Sequence, residues 1–524
     1  MSRRLLMLAL DSIDWFLVNE WAADGHLPVL RQLLADSQQL LCTESNRPLP
    51  GSVWTDIATG VSAGHHGYVD LTHLTPNSYG SDRIDASRLS ALPFYKELSD
   101  AGIRCAIVDF PIDYLLPNFN GLQIVDWGTE FKLGEFGVNT PGLAAELDSR
   151  YGSHPLTNYE RTSLGLSDLL ALKHKLLRGI EVKRRFAVDL LRRREHEFVF
   201  YNFAELHKAG HFFWKFHDRQ HPDFTDREPQ LQHALRDVYA DMDRAIGSVL
   251  EQLGSSDDLI LVTDRGMYAD YRGDHLIEKV LLKLELAVPR GPSHENRAES
   301  WRTRLLNQRE MRQALRFVGQ KLLPESMRQA LLPFHRAAVG ESAPLDWRKT
   351  HVYAMPAVGN SHLRVNLAGR EPLGVVTPGA EFQAVVAQTA TQLRGLINPA
   401  TGEPAVQEIY FPSKQFAGPR SSELPDIAIV WNPNSPITAL TSAAMGTVSG
   451  KTTEGRTGNH RPDGFALFSG ASWSARKNVM NGDPRQIAPT ILQHFGVTPP
   501  AHYEKKSLAL ENVWATPHAA GGVY

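Results

Sequence analysis

FVFYNFAELHKAGHFFW, residues 198–214, decides how the rest of the chain is read. Phe198-Val199-Phe200-Tyr201 is an apolar run of β-forming residues, as expected of a strand buried on both faces. Polarity then switches within a few residues to Glu205, His207 and His211. Open α/β sheets place their ligands at the carboxyl ends of strands. His207 and His211 are four apart, so one helical turn puts both imidazoles on one face, as a metal ion requires. A surface turn carrying chance histidines is the bland alternative in a chain with 21 histidines.

The 524 residues have room for one large α/β domain with insertions or for two to three average ones. Hydrophobic content of 42% and charged content of 22% are ordinary for a globular chain. A net charge of −3 gives no global field for nucleic acid or a membrane surface. Two cysteines, Cys42 and Cys105, build no disulfide framework. The apolar run at the N-terminus stops at Asp11 and no apolar run of membrane-spanning length follows, so a cytoplasmic protein is expected.

Working outward, Leu5 to Leu10 reads as a first buried strand ending at Asp11-Ser12, and Asp14 to Leu34 has helical periodicity. Ser12 and Asp14 are both candidate helix caps. In RPLPGSVWTDIATGVSAGHHGYVD, residues 47–70, Pro-Gly makes a turn, Ser52 is an expected N-cap and Val53 starts a helix. A hydroxyl at such a helix entry sits in positive potential that suits a phosphate or a developing alkoxide. Leu89 to Gly102 is expected to be a helix and Ile103 to Phe110 a strand. Residues 118–195 are irregular and then helical, as a lid or cap insertion between strands would be. Leu231 to Leu253 is an amphipathic helix, and DDLILV delivers Asp264 and Arg265 at a second strand tip. Arginines interleaved with leucines mark 293–340 as a basic helical insertion, most simply a solvated face. Thr350 to Leu367, Pro425 to Trp431 and Gly464 to Ser469 read as further strands, with helices at Ala380 to Leu396 and Arg485 to Phe495. Alternating strands and helices predict a large, mostly parallel sheet.

Taken together, these residues resemble the alkaline phosphatase superfamily, in its type I phosphodiesterase/nucleotide pyrophosphatase branch. The resemblance spans nearly the whole chain and rests on motifs in order: Asp11, WTDIATGVSAGHHG, the Glu205–Trp214 block, TDRG at Asp264, RVNLAGREPLG, PDIAIVW, GNHRPDG and QIAPTILQHFGVTPP. It implies a single catalytic domain over 1–524, an alkaline-phosphatase-like three-layer sandwich with helices on both faces of the sheet and helical insertions. It further implies two metals, usually zinc or manganese, beside a Thr or Ser nucleophile. Carried over by position, Asp11 and Asp264 match ligands of one metal, and His211 and His460 ligands of the other. His207 falls where the family commonly has Asp, which leaves a three-imidazole set suited to zinc.

Two departures shape the expectation. Arg265 stands where family members have a ligating His, so one ion is favoured over two, with Arg265 supplying the missing positive charge. The usual nucleophile position falls on Pro50, which makes Ser52 the substitute and Thr55 the next candidate; water activated at the metal is the other route. Glu205 and His275 are further possible site residues. The expected function is metal-dependent hydrolysis of a small phosphate ester, of phosphodiester or nucleotide-pyrophosphate type. A non-catalytic binding subunit, or a phosphoryl or sulfuryl transferase, is the alternative. Ordinary sulfatase chemistry is set aside, because neither Cys42 nor Cys105 opens a C-x-P-x-R block.

Overall fold

A computed structural model describes residues 4–42, 47–85, 88–129, 133–156, 165–290, 345–355, 361–450, 455–473 and 479–508. The basic insertion expected at 293–340 lies outside the described residues, and the 118–195 segment is described in part.

The strands run β1 (Leu5–Leu10), β2 (Gln38–Cys42), the hairpin β3 (Thr72–Leu74) and β4 (Ser81–Arg83), then β5 (Cys105–Val108), β6 (Gly121–Val125) and β7 (Gly137–Val138). After these come β8 (Phe198–Phe203), β9 (Asp258–Thr263), β10 (Gly266–Ala269), β11 (Val352–Ala354), β12 (Ser361–Val365), β13 (Val406–Tyr410) and β14 (Ile427–Trp431). The last are β15 (Ala439–Ser442), β16 (Gly446–Ser449), β17 (Gly458–Arg461), β18 (Gly464–Ser469) and β19 (Val479–Asn481). Nine of them form one sheet in the order β19-β2-β18-β9-β1-β8-β5-β6-β7. β9, β1, β8, β5 and β6 are mutually parallel, while β18 runs antiparallel between β9 and β2.

The central strand β1 explains why the sheet is covered twice. All six of its residues are buried. Successive side chains point to opposite faces of a strand, so Leu6, Leu8 and Leu10 enter one core and Leu5, Met7 and Ala9 the other. The first core is closed by helices α1 (Trp15–Ala23), α2 (Pro28–Asp36), α6 (Leu143–Arg150), α7 (Leu166–Arg193), α8 (Glu205–His217) and α9 (Ala234–Leu250). The second is closed by α3 (Val53–Thr59), α5 (Phe94–Asp100) and the helix Ile487–His494. The expected three-layer sandwich is therefore present, and β6 and α7, both within 118–195, belong to it.

Two sequence expectations change in detail. Asp14 to Leu34 is not one helix: Gly25 turns at φ 81 and Pro28 opens the second helix, where its missing N–H costs nothing. Strands β11, β12, β14 and β13 do not extend the large sheet. They form a separate antiparallel sheet whose core takes in the helices α10 (Ile277–Lys283) and Ala380–Arg394. Among the described residues no helix is long and apolar enough to cross a membrane.

Candidate active site

Three adjacent strand ends build the site. β1 and β9 pair in parallel and release Asp11 and Asp264 at the same edge, while β8, on the other side of β1, feeds straight into α8. On α8, His207 and His211 project together, one turn apart. The third histidine arrives from far along the chain: β17 pairs with β10 so that His460 lies opposite Met267. Strand β17 comes very close to α8, since a Cβ on Gly458 would sit 2.2 Å from the Gly210 carbonyl oxygen. A glycine is what permits that approach.

His207, His211 and His460 bring one ring nitrogen each to within 4.8 Å of one another. His207 Nδ1 lies 3.0 Å from Asp11 Oδ2, and His211 Nδ1 lies 2.8 Å from the Gly458 carbonyl oxygen. Both partners are acceptors, which places a proton on each Nδ1 and turns each Nε2 toward the other ring. These two Nε2 atoms are 3.0 Å apart. Two ring nitrogens at that separation share either a proton or a cation. His460 Nδ1 is buried and has no hydrogen-bond partner among the described residues. Burial pushes His211 and His460 well below the ordinary histidine range; Arg456 adds to this at His211, and Arg265 and the other imidazoles at His460. Neutral imidazoles of this kind are the ligating form. The donor set, its tautomers and the unpartnered nitrogen therefore fit a zinc-like ion held by three histidines.

The carboxylates at the strand tips have other partners. Asp11 accepts from His207 through Oδ2 and from Ser12 Oγ at 3.2 Å and Trp54 Nε1 at 3.3 Å through Oδ1. This is the carboxylate–histidine arrangement that orients metal-bound imidazoles. Asp264 accepts from the Ser12 backbone N–H at 3.3 Å and lies 3.0 Å from Arg265 Nε. Burial drives Asp264 up to about 8 despite Arg265, with Asp11 adding repulsion. Burial also acts to raise Asp11, but His207 and Arg265 outweigh it and hold that carboxyl below its ordinary value. The two acids thus behave as a pair whose pKa values are pushed apart. Neither joins the three-histidine group among the described residues. Arg265 is 3% exposed and donates to the Pro50 carbonyl at 2.9 Å, so the two departures noted in the sequence touch each other.

The remaining candidates have hydrogen-bond surroundings of their own. Ser52 does not cap α3, because its backbone is already helical. Its Oγ instead lies 3.0 Å from Leu49 O and 3.1 Å from Asp56 Oδ2, and its single O–H donates to one of them at a time. Thr55 Oγ1 is buried with no hydrogen-bond partner. Glu205 turns away from the histidines to His154, 2.9 Å between Oε1 and Nε2, with both side chains fully buried. His275 contacts the Gly450 carbonyl at 3.3 Å and is not in the group.

Two features escaped the sequence reading. Arg456 Nη1 lies 3.4 Å from His211 Nε2. Its position four residues before His460, in a glycine-flanked segment, was the only signal. His66 Nε2 lies 2.7 Å from Asp56 Oδ1, which makes Asp56 the shared acceptor of Ser52 and His66.

A parallel sheet with helices on both faces, carrying acids at its strand tips and a three-histidine centre on the helix after β8, defines an alkaline-phosphatase-like hydrolase. A sequence profile of the type I phosphodiesterase/nucleotide pyrophosphatase family matches residues 5–312, and the chain belongs to that family of phosphoester hydrolases. Among solved structures it is similar to phosphonoacetate hydrolase from Sinorhizobium meliloti 1021 in complex with phosphonoformate. That pair shares 12% identity over 93% of this chain and 94% of the other, with a TM-score of 0.51, a likeness of fold. Human ectonucleotide pyrophosphatase/phosphodiesterase 5 aligns at 12% identity over 96% of this chain and 97% of its own, with a TM-score of 0.46. No curated protein matches the chain by sequence.

Proposed function

We propose that the protein hydrolyses small phosphate esters, of phosphodiester or nucleotide-pyrophosphate type, at a centre holding one zinc-like ion on His207, His211 and His460. The observation that carries this reading is the convergence of three ring nitrogens within 4.8 Å, two of them Nε2 atoms 3.0 Å apart on rings each fixed by an acceptor at Nδ1. Such an ion supplies Lewis acidity toward a phosphoryl oxygen. Asp11 orients His207 and balances part of the charge. Arg265, held by Asp264 and the Pro50 carbonyl, brings its positive charge to the phosphoryl oxygens, in the role a second cation has in the two-metal members. Ser52 Oγ is already committed to Leu49 O and Asp56, so we assign the attack on phosphorus to water.

The test pairs metal content with turnover. Purified wild type is expected to carry about one zinc per chain and to cleave a p-nitrophenyl phosphodiester, while His211→Ala loses both. Unchanged metal content in His211→Ala would remove the assignment. A wild type that binds zinc but turns over no phosphate ester would make it a binding protein.

A further inference from the structure

The Arg456 guanidinium touches a member of the histidine group directly. Its Nη1 approaches His211 Nε2 at 3.4 Å, and Nε2 is the lone pair aimed at His207. The segment carrying it is anchored rather than loose. The Thr457 N–H donates to the His211 carbonyl at 2.7 Å, and the Lys215 N–H donates to Thr457 Oγ1 at 3.3 Å. The charges of Arg265 and Arg456 both act on His460, so positive potential reaches that ring from two separate segments of the chain. Arg265 is buried beside Asp264, whereas Arg456 is half-buried, and no protein carboxylate accepts from it among the described residues.

We propose, resting on the metal centre inferred above, that Arg456 is a phosphoryl-oxygen contact that exchanges between two acceptors. With no ion bound it donates to His211 Nε2; with the ion in place that lone pair is taken, and the guanidinium turns to the oxyanion of the substrate. The ligand class is a tetrahedral phosphoryl oxyanion, gripped from one side by Arg265 and from the other by Arg456. Two consequences with opposite signs follow. Arg456 competes with and repels the metal, and it strengthens anion binding once the metal is there. An arginine that merely supports the fold would weaken both.

The experiment uses the full chain, stripped of metal with a chelator and reloaded with zinc, and reads binding rather than turnover. Zinc affinity is measured in competition with a chromophoric chelator, and inorganic phosphate affinity by calorimetry on the zinc-loaded protein. Arg456→Gln is expected to bind zinc on the order of tenfold more tightly, from the removal of one nearby positive charge. It should bind phosphate roughly tenfold to a hundredfold more weakly, from the loss of a charge-assisted hydrogen bond. Arg456→Lys should fall between wild type and Arg456→Gln on both scales, and circular dichroism checks that each variant is folded. Zinc affinity that is unchanged or weaker in Arg456→Gln, or phosphate affinity that is unchanged, overturns the proposal while leaving the metal centre standing. A wild type that takes up no zinc overturns both.

Discussion

Asp11→Asn separates the two roles that a strand-tip acid can have beside a metal. In the wild type one oxygen accepts from His207 Nδ1 at 3.0 Å, and the other from Ser12 Oγ and Trp54 Nε1. An asparagine has one acceptor and one donor end, and an indole N–H can only donate. If the amide oxygen faces His207, the amide nitrogen faces Trp54, donor against donor; if it flips, His207 loses its acceptor and its tautomer. Replacing such a partner of a metal-bound histidine costs typically 10- to 100-fold in metal affinity, which is about 1.4–2.7 kcal/mol. Competition against a chromophoric chelator should therefore show zinc binding weakened by that factor, with stoichiometry at saturating zinc unchanged. A drop in stoichiometry would refute the reasoning. It would make Asp11 a ligand itself, as the position match to the family implies.

Other expectations concern charge. Arg265→Ala should destabilise the fold by about 1.5–3 kcal/mol, the usual loss for hydrogen bonds to a charged group; the cost stays moderate because Asp264, pushed up to about 8, can take a proton. Arg265→His should raise zinc content from about one to about two per chain by elemental analysis, and a variant still at one would count against Arg265 standing in for a second ion. Lys183 and Asp109 form a fully buried pair, with Nζ 2.6 Å from Oδ2. Lys183→Met leaves that carboxylate uncompensated and should lower stability by roughly 3–5 kcal/mol in denaturant unfolding; an unchanged midpoint would show the pair to be dispensable. Burial raises Asp113 to about 7, against an ordinary carboxyl value near 4 in the unfolded chain. A folded value above the unfolded one stabilises at low pH, and that contribution is lost as pH rises from about 4 through about 7. The stability of wild type relative to Asp113→Asn should fall across that window, and a flat difference would remove Asp113 as its source.

The large sheet was legible because its central strands are buried on both faces and therefore read as continuous apolar runs. β1 and β18 fall at the residues expected, and β8 and β9 within a residue or two. The histidine group was legible for a similar reason, since His207 and His211 carry their spacing in the local sequence. Long-range partners were not. Glu205 looked like a site residue because it opens the helix that carries His207, yet it pairs with His154, 51 positions away. Ser52 looked like a cap because Pro-Gly precedes it, but the turn is itself helical and leaves Ser52 inside it. Arg456 carries no periodicity and no recognised motif; only the docking of β17 on α8 gives it a neighbour.

That docking also fixes when the centre can exist. His211 and Gly458 are 247 positions apart, and β18, which completes the middle of the large sheet, follows directly behind them. At a synthesis rate of about 5–20 residues per second, roughly 12–50 s separate the emergence of the first two histidines from that of the third. A nascent chain that has just released α8 holds an incomplete, two-imidazole ligand pair beside an unfinished sheet. On the proposed three-histidine centre, tight metal capture is expected late in biogenesis, and zinc uptake by arrested chains of increasing length would report the moment at which the sheet closes.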